Sequence, residues 1–192
     1  MNRSHSALTD WGLSHVPVEK NFTILDVGCG GGRTIQKLAA MTTAGKIHGI
    51  DYADGSVAAS RANNAELIKT GRVEIQQSSV SQLPFPENTF DLVTAVETQY
   101  YWPNLTNDMR EILRVLKPGG TLLVVLEDYK AGQKEESRRL PKSVSNYLKY
   151  TTLSVAQQRE LFSAAGYTDV QVAEKSKQRW LCAFGKKLGA LA

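Results

Sequence analysis

Short apolar runs alternate with stretches of helical periodicity along the first part of the chain. Residues 22–27, 46–51 and 73–76 form compact runs with β-branched members, which is typical of strands. Between them, residues 34–40 and 57–69 carry apolar side chains at helical spacing. Strands that alternate with helices in this way predict a parallel sheet covered by helices on both faces.

The same alternation continues through the middle of the chain. Residues 90–96 and 121–126 are two further buried runs, and residues 108–116 between them have a helical pattern. Residues 117–120, Lys-Pro-Gly-Gly, predict a turn immediately before the second of these runs, because proline and glycine interrupt regular structure there.

The last part of the chain predicts one more helix and a pair of strands. Ser154 and Gln157 form a capping box for a helix over residues 155–165. Residues 170–173 and 180–185 follow with little between them, which predicts an antiparallel pair at the sheet edge. The whole pattern favours a doubly wound, Rossmann-like α/β fold, a three-layer sandwich whose seven-stranded, mostly parallel sheet has an antiparallel edge strand.

With 192 residues, the chain is expected to form a single domain with one hydrophobic core. Residues 1–20 precede the first strand and are expected to form a cap segment. Residues 128–153 fit no strand or helix of the predicted sheet, and a connection of this length in a compact domain favours a lid or substrate-binding region.

Composition narrows the functional classes. The net charge is only +4, and acidic residues are mixed with the basic ones toward the end, so a solvated surface is favoured over a nucleic-acid interface. Only Cys29 and Cys182 are present, too few for a disulfide framework or a four-cysteine metal site. No apolar stretch approaches the roughly 20 residues of a membrane span. We expect a cytoplasmic monomer or homodimer with no metal.

Glycines dominate the turn between the first strand and the first helix of the predicted sheet. Gly28, Gly30, Gly31 and Gly32 flank or follow Cys29. Because glycine has no Cβ, the backbone can bend sharply and a ligand can touch the main chain. The N–H groups at the helix start also favour a carboxylate or phosphate. Such a turn alone fits nucleotides, flavins and methionine-derived cofactors.

The spacing of the residues in this turn argues against two kinds of ligand site, a dinucleotide site and a P-loop. A dinucleotide fingerprint needs glycine at its first, third and sixth positions, and counting from Gly28 the sixth position is Arg33. A large side chain there hinders the close approach of helix and strand around a pyrophosphate. A phosphate-binding P-loop needs a lysine that this turn lacks.

Asp51 ends the second predicted strand, beside the Gly-rich turn at the carboxyl edge of the sheet. An ionised carboxylate there can accept hydrogen bonds from both hydroxyls of an adenosine ribose. The alternative is that Asp51 caps the next helix, but Asp54 and Ser56 are better placed in sequence to do so.

Three segments together carry a family resemblance. Residues 24–32 (Ile-Leu-Asp-Val-Gly-Cys-Gly-Gly-Gly) resemble the first motif of class I S-adenosylmethionine-dependent methyltransferases. Residues 83–93 and 113–120 are similar to the stretches that these enzymes carry around their fourth strand and before their fifth. The resemblance covers about residues 23–126, and it is to the small-molecule type, similar to ubiquinone and menaquinone biosynthesis enzymes.

The resemblance implies S-adenosylmethionine as the cofactor and direct methyl transfer to oxygen, nitrogen or carbon of a small molecule. It places Asp26, Gly28 and Gly30 around the methionine portion, Asp51 at the ribose and Tyr52 beside the adenine. A second pair of residues is expected at the adenine edge.

That second pair is Ser79 and Val80. Ser79 stands where family members usually have an aspartate that accepts the adenine amino group, and a serine hydroxyl can also accept that bond. The Val80 N–H is expected to reach a ring nitrogen.

Candidate acceptor residues follow the fourth strand. Glu97 is the carboxylate nearest the expected reaction point, and it could orient an acceptor, act as a base, bind the cofactor's ammonium, or simply form a salt bridge. Tyr100 is a second catalytic candidate. Tyr101, Trp102 and Tyr147 are candidates for stacking on the acceptor. Two alternatives stay open, a nicotinamide-dependent oxidoreductase and a non-catalytic cofactor-binding module.

Overall fold

A computed structural model of the protein describes residues 4–129 and 151–189, with side chains from residue 6 onward. In this part of the chain the helices are α1 (Ser4–Leu13), α2 (Arg33–Met41), α3 (Asp54–Asn63), α4 (Ala65–Lys69), α5 (Leu105–Val115) and α6 (Val155–Ala165). The strands are β1 (Thr23–Val27), β2 (Lys46–Asp51), β3 (Val73–Gln77), β4 (Phe90–Val96), β5 (Leu116–Leu126), β6 (Thr168–Lys175) and β7 (Trp180–Lys186).

The seven strands form one sheet in the order β3-β2-β1-β4-β5-β7-β6. Strands β1 to β5 pair in parallel with their neighbours, while β7 is antiparallel to both β5 and β6. The antiparallel strand therefore lies one position inside the edge, and β6 is outermost. The predicted seven-stranded, mostly parallel sheet is confirmed.

Alternate residues of the central strands enter two separate cores. Leu25 and Val93 belong to the core that the sheet forms with α5 and α6, where Phe162 is fully buried. Their sequence neighbours Ile24 and Leu92 belong to the core that includes side chains of α1 and α2. Because side chains of a strand alternate between faces, these two cores make the sheet the middle of three layers.

The strand order reverses between β1 and β4. From β1 the chain adds β2 and β3 on one side, and from β4 it adds β5 on the other. In an open parallel sheet, the connections that leave in opposite directions open a crevice at the carboxyl ends of these two strands. The Gly-rich turn follows β1 and Glu97 follows β4, so both lie at this crevice.

Two local predictions were wrong in detail. The helix after β2 begins at Asp54 rather than at residue 57, has Ala53 as its N-cap without a side-chain cap bond, and is interrupted at Asn64. Asp54 and Ser56 therefore lie inside the first helical turn instead of capping it. The Lys-Pro-Gly-Gly turn is part of an irregular start of β5, where the register with β4 shifts.

Candidate active site

The Gly-rich turn is folded back against the end of β2. The Ile50 carbonyl accepts hydrogen bonds from the N–H groups of Gly28 (2.8 Å) and Cys29 (2.9 Å). Gly28, Gly30 and Gly32 have φ angles of 72°, 51° and 79°, which residues with a Cβ rarely adopt. The run of glycines is thus required by the backbone shape of the turn.

The Asp51 carboxylate bridges this turn and the start of α3. Its Oδ2 accepts a hydrogen bond from the Gly30 N–H at 2.9 Å, and its Oδ1 accepts one from the Ala53 N–H at 3.0 Å. The side chain is half-buried. A carboxylate has about four acceptor positions, so two bonds to the backbone hold the group in place and leave capacity for ligand hydroxyls.

Asp26 lies beneath the turn and is almost completely buried. Its Oδ1 accepts a hydrogen bond from the Thr94 hydroxyl at 2.7 Å, whereas its Oδ2 is buried with no hydrogen-bond partner. Burial raises the pKa of this carboxyl to about 7; the Thr94 bond opposes the rise and the Asp51 charge adds to it. A buried carboxyl oxygen with no partner is suited to a positively charged ligand group.

Cys29 is buried inside the turn, and its thiol carries no negative charge that would add to that of Asp51. Burial and, next, the Asp26 carboxyl raise the pKa of its thiol to about 12. The thiol lies 3.7 Å from the Ser60 hydroxyl oxygen. Cys29 is therefore a small, buried packing residue of the turn.

Several side chains that shape the turn have no recognisable sequence signal. Asn63, at the end of α3, donates a hydrogen bond to the Gly31 carbonyl at 2.9 Å. A Cβ on Gly32 would lie 2.2 Å from the Asn64 side-chain nitrogen, and a Cβ on Gly28 would lie 2.2 Å from the Thr98 hydroxyl oxygen. The turn is therefore enclosed by α3 on one side and by the end of β4 on the other.

Gly30 differs from its neighbours because its missing side chain points into open space. No heavy atom lies within 4 Å of the position that a Cβ would take there. The turn thus has open space beside its backbone at Gly30, whose N–H donates to the half-buried Asp51 carboxylate. This open backbone and the two acidic groups, Asp26 and Asp51, fit the amino-acid and ribose portions of S-adenosylmethionine.

The residues predicted to meet the adenine lie around the ends of β2 and β3. Tyr52 follows β2 directly and is 80% exposed. The Ser79 hydroxyl accepts a hydrogen bond from the Ser81 N–H at 3.2 Å, and the Val80 side chain is buried in the core beside α5. The Ser81 hydroxyl in turn donates to the buried Asp108 carboxylate at 2.7 Å.

Helix α5 also holds the rest of this connection. Glu111 accepts a hydrogen bond from the Leu83 N–H at 2.8 Å, and Arg114 donates to the carbonyls of Leu83 (3.0 Å) and Phe85 (2.8 Å). The motif at residues 83–85 is thus the docking point of the β3–β4 connection on α5.

Glu97 occupies a strained position directly after β4. Its φ of 59° is in the left-handed region, which costs a residue with a Cβ free energy and often marks a functional position. Its Oε1 accepts hydrogen bonds from the Tyr100 hydroxyl at 3.0 Å and from the Glu127 N–H. The carboxylate is therefore held in a fixed orientation between the ends of β4 and β5.

The aromatic residues that follow are separated by the fold. Tyr100 is fully buried, and its hydroxyl accepts a hydrogen bond from the Asp128 N–H at 2.9 Å. Tyr101 is 56% exposed, whereas Trp102 is buried in the core beside α5. Tyr147 lies outside the described residues. Of the three aromatic side chains after Glu97, only Tyr101 presents a large surface to solvent.

None of the helices in the described parts of the chain combines the length and apolar character needed to cross a bilayer. Across residues 4–129 and 151–189, no group of three or more His, Cys, Asp or Glu side chains is arranged to hold a metal ion.

An open sheet that reverses between β1 and β4, with a Gly-rich turn after β1 and a carboxylate at the end of β2, is the arrangement of class I S-adenosylmethionine-dependent methyltransferases, and dinucleotide-binding domains share it. The family match decides between these two classes. The model of the methyltransferase domain family matches residues 25–124, so the chain belongs to that family. It is therefore an enzyme of the methyltransferase class.

Three similar proteins illustrate the relationship. The uncharacterized methyltransferase YdaC of Bacillus subtilis is 25% identical over 189 residues, which cover 97% of this chain and 95% of YdaC. The sterol 4-C-methyltransferase strm-1 of Caenorhabditis elegans is 30% identical over 164 residues, or 82% of this chain, but the match spans only 47% of strm-1. The geranyl diphosphate C-methyltransferase structure from Streptomyces coelicolor has a TM-score of 0.81 at 12% identity, covering 95% of this chain and 80% of that one.

The predicted fold, enzyme class and cofactor are confirmed by these matches together with the sheet.

Proposed function

We propose that the protein transfers the methyl group of S-adenosylmethionine directly to a small molecule bound beside Glu97. The observation that carries this proposal is the contact between the two halves of the crevice. Gly28 packs so tightly on Thr98 that a Cβ there would lie 2.2 Å from the hydroxyl oxygen, and Thr98 directly follows Glu97. A cofactor held by the turn and an acceptor held by Glu97 are thus neighbours.

In this proposal the cofactor lies across the ends of β1 and β2. Asp51 accepts hydrogen bonds from the ribose hydroxyls, and the backbone at Gly28 and Gly30 and the Asp26 carboxyl surround the methionine portion. The assignment of Asp51 to the ribose is supported by the fixed geometry of its carboxylate, because both oxygens accept hydrogen bonds from backbone N–H groups.

The adenine occupies the outer part of the same cleft. The exposed ring of Tyr52 packs beside it, and the Ser79 hydroxyl and Val80 N–H meet its polar edge. The Tyr52 ring is available for this contact because only a fifth of its surface is covered in the protein alone.

When bound, S-adenosylmethionine supplies a methyl group on a positively charged sulfur, which leaves as a neutral thioether. The protein's main contribution is to align the acceptor with that methyl group and to exclude water, and orientation of this kind supplies about 7–11 kcal/mol. Glu97 accepts a hydrogen bond from the acceptor's O–H or N–H, and it takes the proton where the acceptor must lose one.

Tyr100 acts through Glu97 in this mechanism. Its ring is buried and its hydroxyl donates to the Glu97 carboxylate, so we assign it as a positioning residue rather than as a catalytic one. The second hydrogen bond on that carboxylate oxygen, from the Glu127 N–H, restrains Glu97 further.

Tyr100 also joins both ends of the segment proposed to cover the acceptor. Its hydroxyl accepts a hydrogen bond from the Asp128 N–H, and its carbonyl accepts one from the Thr151 N–H at 3.0 Å. Asp128 and Thr151 therefore both lie beside the Tyr100 that bonds to Glu97. We keep residues 128–153 as the proposed acceptor region, although its residues 130–150 lie outside the described residues. Tyr101 forms an exposed wall there, Trp102 supports it from the core, and Tyr147 belongs to the same segment.

Replacing Glu97 with glutamine should lower the formation of S-adenosylhomocysteine about 100-fold with an acceptor that must lose a proton. The measurement is mass-spectrometric detection of S-adenosylhomocysteine, first with a panel of phenols, amines and isoprenoid alcohols and then with the best acceptor. The affinity for S-adenosylmethionine should stay within about twofold, because Glu97 is assigned to the acceptor.

Glu87→Gln is the matched control, since this exposed carboxylate lies before β4, at the opposite end of the strand. It should leave turnover unchanged. A large loss of cofactor affinity in Glu97→Gln would instead assign Glu97 to the cofactor's ammonium group. A native protein that binds the cofactor but turns over no acceptor would favour a non-catalytic module.

We further infer a cytoplasmic location and a monomer or homodimer. Buried free thiols at Cys29 and Cys182 are consistent with a reducing compartment. Light scattering coupled to size-exclusion chromatography would give the oligomeric state.

A further inference from the structure

Asp26 is an unusual group for the centre of a protein. It is almost wholly buried, one of its oxygens has no hydrogen-bond partner, and no ion pair within the described residues includes it. An ionised carboxylate in such surroundings is costly, and burial therefore favours the protonated form.

The neighbours of Asp26 offset this cost only in part, through the hydrogen bond from Thr94. From β4 the group that meets it is the uncharged Thr94 hydroxyl, and from the turn it is the Cys29 thiol, which burial keeps protonated. The charged group that acts on it is the Asp51 carboxylate at the end of β2, which is negative and disfavours a second negative charge nearby.

We propose that the buried Asp26 carboxyl carries a proton in slightly acidic solution while the cofactor is absent, and that binding of the cofactor's α-ammonium group expels this proton to solvent. The inference rests on the proposed function, because it needs the methionine portion to lie at the turn. The carboxyl O–H bond breaks, the proton passes to the buffer, and the ammonium supplies the positive charge that the proton had supplied.

The physical reason is an exchange of one positive charge for another. Without a ligand, burial is the largest cause that raises the pKa of Asp26, to about 7. A cation beside the partnerless oxygen favours the ionised form and lowers that pKa again. Cofactor binding must therefore release a proton at any pH between the two pKa values.

Calorimetry measures this release directly. S-adenosylmethionine and S-adenosylhomocysteine are each titrated at pH 6.0 into the intact protein in buffers with different ionisation enthalpies, and the slope of the observed enthalpy gives the protons released. At this pH the ligand's own amino group stays protonated in both states, since its pKa lies well above 6. Most of one proton should be released per ligand bound.

Two variants separate Asp26 from other proton sources. Asp26→Asn keeps the shape of the side chain but has no titrating proton, so its release should fall to near zero. Thr94→Val removes the hydrogen bond that lowers the pKa of Asp26, so at pH 7 it should release more protons than the native protein. Thr94→Val decides the question even where Asp26→Asn does not fold.

Binding with release of less than about a fifth of a proton at pH 6.0 overturns this inference and leaves the proposed function intact. Such a result would mean that Asp26 has the same protonation state with and without ligand, either protonated in both or ionised in both. Release that persists in Asp26→Asn also overturns the inference. Absence of binding by both ligands overturns the proposed function itself.

Discussion

Replacing Asp51 with alanine should weaken S-adenosylmethionine binding by roughly 100-fold, with the protein still folded. The carboxylate is proposed to accept hydrogen bonds from both ribose hydroxyls, and a hydrogen bond to a charged group contributes about 1.5–3 kcal/mol. The variant also removes the partner of the Gly30 N–H, so the turn loses one of the hydrogen bonds that hold it against the end of β2, while those to the Ile50 carbonyl remain. Isothermal titration calorimetry measures the affinity, and circular dichroism reports the fold.

Asp54→Ala is the matched control for this experiment. Asp54 is an exposed carboxylate three residues further along, and its Oδ1 bonds only locally, to the Gly55 N–H. Asp54→Ala removes the same charge near the same crevice, and its affinity for S-adenosylmethionine should stay within about twofold of the native value. A loss of less than threefold in Asp51→Ala, under a kcal/mol, would contradict the ribose assignment.

Replacing Gly30 with alanine should lower the affinity for S-adenosylmethionine by roughly 30-fold or more, with only a modest loss of protein stability. The Cβ would meet no protein atom within 4 Å, so its only steric conflict is with whatever occupies the crevice. Forcing one carbon into a well-packed contact costs about 1–3 kcal/mol. The φ of 51° adds backbone strain of about 1–2 kcal/mol to the folded protein.

Gly71→Ala is the matched control, which distinguishes the effect of backbone strain from that of a steric conflict with a bound ligand. Gly71 has a φ of 74° and open space around its Cβ position, but it lies after α4, away from the turn. Both variants should unfold a few degrees below the native protein, and only Gly30→Ala should lose affinity. Equal affinities in the two variants would mean that the cofactor does not touch the turn at Gly30.

The order of strands and helices could be predicted because its signal is periodic and repeated. Each buried run is short and apolar, and each helix between strands shows one apolar stripe. Boundaries were less predictable, since capping is a local competition. Asp54 and Ser56 are residue types that often cap helices, yet α3 begins at Asp54 with Ala53 as its N-cap. The Ala53 N–H donates instead to the Asp51 Oδ1 atom.

The site was predictable where its residues lie in one sequence motif. The glycines of the turn and Asp51 are close to strand ends, and their position follows from the topology. The partners of Asp26 could not be found in this way, because Thr94 and Asp51 come from two other strands. Its burial, which drives the raised pKa, exists only once the sheet is assembled.

The residues after β4 show the same limit. A run of three aromatic residues indicates burial or a binding wall but does not say which side chain does which. The short helical turn at Gln99–Tyr101 places the Tyr100 and Trp102 side chains inward and leaves Tyr101 exposed. Asn63, Asn64 and Thr98 enclose the Gly-rich turn through contacts distant in sequence, so no local pattern could have indicated them.

A crystal structure of the protein with S-adenosylhomocysteine tests the central claim most directly. We expect the ribose hydroxyls within hydrogen-bonding distance of the Asp51 carboxylate, and the amino-acid portion against the backbone at Gly28 and Gly30 beside Asp26. The sulfur should face Glu97. A ligand bound elsewhere, or a turn that stays empty at saturating ligand and instead takes up a nicotinamide dinucleotide, would contradict the account.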